Sequence, residues 1–234
     1  MELYHVLNRG VDKRRIFLDE RDHFRFVHDL FEFNNVKNIE TTFHTFQKLK
    51  ESFDIGFNKF REPRELLVDI HTFCLMPNHY HLLLSEKIEN GISKFMKKLN
   101  MGYARYFNEK NKRTGALFQG GYKAVPIREQ SHFIHIPYYI HLNPLDLHSP
   151  EWREGKIANP SKAINFLENY RWSSFLDYIG KKNFPSVTSR KFLLECLGGT
   201  DGFRDKVIEW IKQSNLEGIK DVALEKFDEN FHLS

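Results

Sequence analysis

Cysteine is almost missing: among 234 residues only Cys74 and Cys196 occur, far apart and each in apolar surroundings. Two such thiols build no disulfide framework and fit buried side chains in a reducing compartment. Long apolar runs are also missing, so no segment reaches the ~20 residues needed to span a bilayer. Met1-Glu2-Leu3-Tyr4 opens without a signal-peptide pattern. A soluble, cytoplasmic protein with no membrane partner is expected. There is no internal repeat and no low-complexity tract, which excludes solenoids and fibrous arrays. Acid is scarce in one place. Between residues 91 and 128 the bases Lys94, Lys97, Lys98, Arg105, Lys110, Lys112, Arg113, Lys123 and Arg128 face the single acid Glu109. That stretch carries +8 in a chain whose total is +4, leaving about −4 for the rest. Solvated faces mix both signs, so so one-sided a run favours a surface facing a polyanion.

What is present is ordered around Leu75-Met76-Pro77-Asn78-His79-Tyr80-His81-Leu82-Leu83-Leu84. The run after Pro77 reads as a short buried strand, and in a strand alternate side chains share a face, so His79 and His81 point the same way. Two neighbouring imidazoles suit a divalent cation; they also occur as ordinary sheet histidines. Leu66 to Leu75 reads as a central strand feeding through the Pro77-Asn78 turn into this one, which makes the two antiparallel neighbours.

The opening Tyr4-His5-Val6-Leu7-Asn8-Arg9-Gly10 reads as a strand ending at a glycine turn, with Arg9, Arg14 and Arg15 nearby. Asp19 is a candidate N-cap for a helix to about Phe33. Residues 34–63 read as a helical insertion on the spacing of Ile39, Phe43, Phe46 and Leu49. From Ile92 to Phe107 the pattern is helical, with Ile92, Phe95, Met96, Leu99, Tyr103 and Tyr106 on one face and Lys94, Lys98, Met101 and Arg105 on the other. Gly115 to Lys123 mixes glycines with aromatics, either a phosphate-approaching loop or a mobile hairpin. A last strand, Lys123 to Ile127, follows. Ser131 is a candidate cap for a helix to Asn143, with Pro137 imposing a kink or a late start and Pro144 a stop. Tyr139 and Asn143 are four apart and share a face. After Leu145 come a loop, a helix from Ser161 to Tyr170, the aromatic turn Tyr170-Arg171-Trp172-Ser173-Ser174, and helices over Ser189 to Leu197 and Gly202 to Gln213. These either cover the sheet, the reading favoured here, or contact a polyanionic partner.

The element order is that of an α+β fold: a ferredoxin-like, split βαβ antiparallel sheet with helices on one face, plus a helical C-terminal extension. We divide the chain into residues 1–145 and 146–234. In this topology a helix following the sheet can lie across the central strands, bringing Tyr139 and Asn143 to His79 and His81.

Five motifs in order then carry a resemblance: the histidine strand, Tyr106-Phe107-Asn108, Gly115-x-Leu117-Phe118-Gln119-Gly120, Tyr139-Ile140-His141-Leu142-Asn143-Pro144, and Tyr170-Arg171-Trp172-Ser173-Ser174. Together they resemble the HUH-type single-tyrosine transposases of insertion sequences, above all the subgroup called REP-associated tyrosine transposases, over residues 3 to 180. The resemblance implies a single-strand DNA endonuclease and transposase, acting at hairpin-flanked sites in the nucleoid of a prokaryote as a monomer or homodimer. It implies Tyr139 as nucleophile and His79, His81 and Asn143 as ligands of Mg²⁺ or Mn²⁺. Arg9, Arg14, Lys94, Lys98, Arg105, Lys112, Arg113 and Lys123 are the candidate DNA contacts. Phe118 and Gly121 depart from the family's usual Trp and Arg, removing one cation. Histidine-triad hydrolases want His at 83 and metallo-β-lactamase-like hydrolases Asp-His at 83 and 84; Leu83 and Leu84 exclude both. A domesticated, non-cutting DNA- or RNA-binding protein on the same fold is the remaining alternative.

Overall fold

Four strands supply the frame: β1 (Leu3–Arg9), β2 (Val68–Met76), β3 (His79–Glu86) and β4 (Lys123–Ile127). The computed structural model describes residues 1–37, 64–213 and 221–223; most of the expected insertion at 34–63 lies outside them. The strands pair in the order β2-β3-β1-β4, every pair antiparallel. With helix α1 (Glu20–Glu32) joining β1 to β2 and α2 (Gly91–Lys110) joining β3 to β4, this is the ferredoxin-like arrangement.

Both faces of the sheet are covered. Val6, Ile70, Phe73, Leu75, Tyr80, Leu82 and Leu84 form one core with α1 and α2. Leu3, Cys74, Met76, Leu83 and Ile127 form the other with helix α3 (Gln130–Leu142) and the elements after it. A bulge at His71, where Ile70 pairs with Leu84 and Thr72 with Leu83, lets Ile70 and Phe73 share the first core. The helices α4 (Pro160–Asn169), α5 (Phe175–Tyr178), α6 (Lys191–Cys196) and α7 (Gly199–Gln213) therefore act as cover for the second face.

Local chemistry explains several boundaries. The Asp19 side chain caps α1 by accepting from the Asp22 amide at 3.1 Å. Ser131 does not cap α3. The Glu129 carbonyl already accepts from the Phe133 amide at 3.0 Å, so the helix starts ahead of the serine. It then runs through Pro137 in place of the expected late start. Cys74 is buried, whereas Cys196, expected to be buried, is exposed at the end of α6. No helix among the described residues is long and apolar enough to cross a membrane.

The Tyr170 to Ser174 turn seals the open edge of β2. Leu75 donates to the Trp172 carbonyl at 2.9 Å, Ser174 donates to the Phe73 carbonyl at 3.0 Å, and Ser173 bridges Cys74. The Ser174 hydroxyl accepts from the Phe73 amide at 3.0 Å and hydrogen bonds His141 Nε2 of α3 at 2.7 Å. One hydroxyl thus ties the edge strand to α3. Ser174→Ala leaves both partners buried without it, and chemical denaturation should show a loss of about 1–3 kcal/mol.

His141 gives the fold a pH dependence. Burial pushes its imidazole down to about 3. The unfolded chain takes up this proton near pH 6.5 and the folded chain refuses it, so stability is complete above about pH 6.5 and falls as the solution is acidified. Between pH 6 and 4, His141→Gln should flatten the stability profile by up to about 1.4 kcal/mol per pH unit relative to wild type.

Candidate active site

The histidine hairpin is held from several sides. Gly10 donates to the Asn78 carbonyl at 2.8 Å and Ile16 to the Pro77 carbonyl at 2.8 Å, so the β1 exit clamps the β2–β3 turn. A side chain at Gly10 would collide with the Arg14 carbonyl, which explains the glycine. Asn78 has two tasks: its Nδ2 donates to the Lys13 carbonyl at 3.2 Å, and its Oδ1 lies 2.6 Å from His79 Nδ1.

His79 and His81 share a face with Leu3, His5, Leu7 and Leu83, on the side away from α1 and α2. Their ring centroids are 4.9 Å apart with planes at 84°. A third imidazole, His5, lies edge to edge with His81, centroids 5.1 Å apart and planes at 16°, with His5 Nε2 2.9 Å from His81 Nδ1. Its other nitrogen lies 2.5 Å from the carbonyl oxygen of Val222.

α3 lies across this face and places Tyr139 edge-on to both rings, 5.9 Å from His81 and 6.1 Å from His5. Four residues on, Asn143 donates from Nδ2 to the Tyr139 carbonyl at 2.8 Å. That bond turns its Oδ1 toward Arg153, whose Nη2 donates to it at 3.2 Å while Nη1 donates to the Tyr139 hydroxyl at 3.3 Å. Asp146 fixes the guanidinium through bonds of 2.8 and 2.5 Å. His81, Tyr139 and Asn143 are fully buried and His79 nearly so.

The other tyrosines go elsewhere. Tyr138 stacks on Phe203 at 4.9 Å, and burial raises its phenol to about 12. Tyr103 donates to the Ile16 carbonyl and Tyr106 to Asp22, both in the α1–α2 layer. Tyr122 packs against that same core.

The cations divide by face. Arg9 pairs with His79 and Lys123 with Leu7, so both start from the imidazole face, and Arg14 is exposed beside the clamped turn. Lys94, Lys98 and Arg105 belong to α2, behind the sheet. Lys94 donates to the Glu89 carbonyl, and Lys98 donates to the carbonyls of Asn35, Val36 and Lys37. Arg113 donates to Asn108 and to the Ala116 carbonyl, fixing the loop in which Lys112 is exposed. The structure does not gather these eight into one stripe.

Among the described residues no group of three His, Cys, Asp or Glu is placed to hold a metal ion. The two imidazoles share this face, while the Asn143 carboxamide oxygen is held by Arg153; two imidazoles with a carboxamide are a donor mixture suited to a divalent cation that keeps open positions.

Residues 57–143 match the family model described as "Transposase IS200 like". Over those residues the chain is similar to the IS200-like transposases. The IS200-like segment takes in the hairpin of β2 and β3 with His79 and His81, and ends at Asn143, so it contains Tyr139 as well. Among solved structures, one similar chain is a REP-associated tyrosine transposase bound to a REP hairpin, at 13% identity over 80% of this chain and 85% of that one, with a TM-score of 0.43. Comparison with curated proteins gives no match. His5, Asp146, Arg153 and Val222 were given no role by sequence reasoning. His5 has the strand parity of Leu3 and Leu7, a signal that becomes usable once β1 is paired with β3; Arg153 and Val222 lie in segments without periodicity.

Proposed function

We propose that this chain is a metal-dependent endonuclease and transposase of single-stranded DNA that cuts and rejoins through a 5′-phosphotyrosine on Tyr139. The observation that carries the reading is the approach of the Tyr139 ring to His81 across the sheet face, inside the segment that matches the family. Tyr139 Oη attacks the phosphorus, the bond to the 3′ oxygen breaks, and that oxygen leaves as a hydroxyl with the proton the phenol gives up. Because the phosphodiester energy is kept in the new link, the reverse attack by a 3′-hydroxyl rejoins DNA without a nucleotide cofactor. His79, His81 and Asn143 would hold Mg²⁺ or Mn²⁺, which when bound supplies Lewis-acid polarisation of the phosphate. Arg153 orients the phenol and the carboxamide, with Asp146 as its anchor. Arg9 and Lys123, on the imidazole face, are the first contacts for the strand, with Arg14 beside them, and a hairpin next to the cut is the expected substrate.

The burial of Tyr139 means that a phosphodiester reaches it only after the site opens. The same burial is what favours the alternative, a non-cutting nucleic-acid-binding protein. A hairpin-bearing oligonucleotide incubated with Mn²⁺ and resolved under denaturing conditions separates the two. A protein–DNA species that resists denaturant and disappears with EDTA supports cutting; reversible binding with no such species supports the alternative.

A further inference from the structure

We propose that His5 is a positioning residue for the metal site, fixing His81 in the tautomer whose Nε2 faces the ion; this rests on the reading of His81 as a ligand. The chain of contacts decides the direction of each bond. A carbonyl oxygen only accepts, so the 2.5 Å contact between Val222 and His5 places a hydrogen on His5 Nδ1. In neutral His5 the lone pair is then on Nε2. The 2.9 Å contact with His81 is therefore a donation from His81 Nδ1 to His5 Nε2. That leaves the lone pair of His81 on Nε2.

His79 reaches the same state by a different route. Asn78 uses its Nδ2 as donor to Lys13, so its Oδ1 is the atom facing His79 Nδ1 at 2.6 Å and accepts from it. Both imidazoles thus carry hydrogen on Nδ1 and offer Nε2, the arrangement in which an outer partner holds a ligating histidine. The two rings lie side by side and nearly coplanar, 5.1 Å apart at 16°, so the 2.9 Å bond between them is in plane and also restricts rotation of the ligand ring. The anchor of the relay is a main-chain carbonyl of the C-terminal segment, and Val222 and its neighbour Ala223 are buried in the core that carries α3.

The test uses the full-length chain as wild type, His5→Gln and His5→Phe. A carboxamide sets a donor and an acceptor on adjacent atoms and can reproduce both bonds of the relay; phenyl keeps the bulk and has neither. Long-range proton–nitrogen spectra of metal-free wild type should show His81 protonated on Nδ1. Manganese titration followed by electron paramagnetic resonance should show His5→Phe binding about 10–100-fold more weakly, the usual cost of losing such a partner, with His5→Gln within a few-fold of wild type. His81 protonated on Nε2 overturns the inference whatever the variants do, as does His5→Phe that is folded by circular dichroism and binds manganese like wild type. Wild type that binds no manganese yet shows the Nδ1-protonated form overturns the metal-dependent function while leaving the relay intact.

Discussion

Tyr139→Phe should abolish the covalent protein–DNA species, lowering its rate of formation by on the order of 10⁴ or more, the scale of deleting a nucleophile that bonds to the substrate. The substitution removes one oxygen and keeps the ring. Packing against His81, His5 and Trp152 survives, with centroids at 5.9, 6.1 and 6.1 Å. Among the described contacts the hydroxyl gives up the 3.3 Å donation from Arg153, whose guanidinium stays anchored on Asp146. The stability cost should be of the order of removing one buried hydroxyl, about 1–3 kcal/mol, and a variant that is folded by circular dichroism yet forms no adduct reports chemistry and not unfolding. Tyr138→Phe is the matched control. It sits beside Tyr139 in the sequence but stacks on Phe203, and its adduct yield should equal wild type.

The second large effect is on metal dependence. EDTA should remove cleavage, Mg²⁺ or Mn²⁺ should restore it, and His81→Ala should lose both cleavage and metal binding. Asn143 and one imidazole would then remain, too few donors to compete with water for a divalent ion. The loss should exceed the ~10–100-fold expected for an outer partner. Lys94→Ala is the contrast: its side chain stands behind the sheet and is tied to the Glu89 carbonyl, so a small effect is expected. Isothermal titration with manganese, beside a cleavage assay at fixed ionic strength, measures both.

Much of the arrangement was readable because it depends on short-range periodicity. The period of two puts His79 and His81 on one face, and the helical step of four puts Tyr139 and Asn143 together. The alternation of strands and helices gives the sheet order seen here. What was not readable depends on register and on layers. His5 meets His81 diagonally, because Leu7 and not His5 is the residue opposite it, and no local pattern announces that pairing. The cations of α2 look like part of one basic surface along the chain; in space the sheet separates that helix from the imidazoles. Arg153 comes from a 3₁₀ turn, Pro150–Glu154, where a loop was expected, and it reaches Tyr139 because Asp146 and Trp152 hold it there. The short helix Phe175–Tyr178 also had no signal, since four residues carry less than two turns of period. Asp19 was legible as a cap and Ser131 misleading for one reason: capping is a side-chain bond, and it is superseded when the main chain closes its first turn earlier.

The central claim is the identity of the atom that takes the phosphate. Protein trapped on a cleaved hairpin oligonucleotide, digested with protease and nuclease and then sequenced by tandem mass spectrometry, locates it directly. The account predicts a nucleotide 5′-phosphate on Tyr139 and on no other residue. A phosphate on a different side chain, or cleaved DNA carrying no linked peptide, would contradict it.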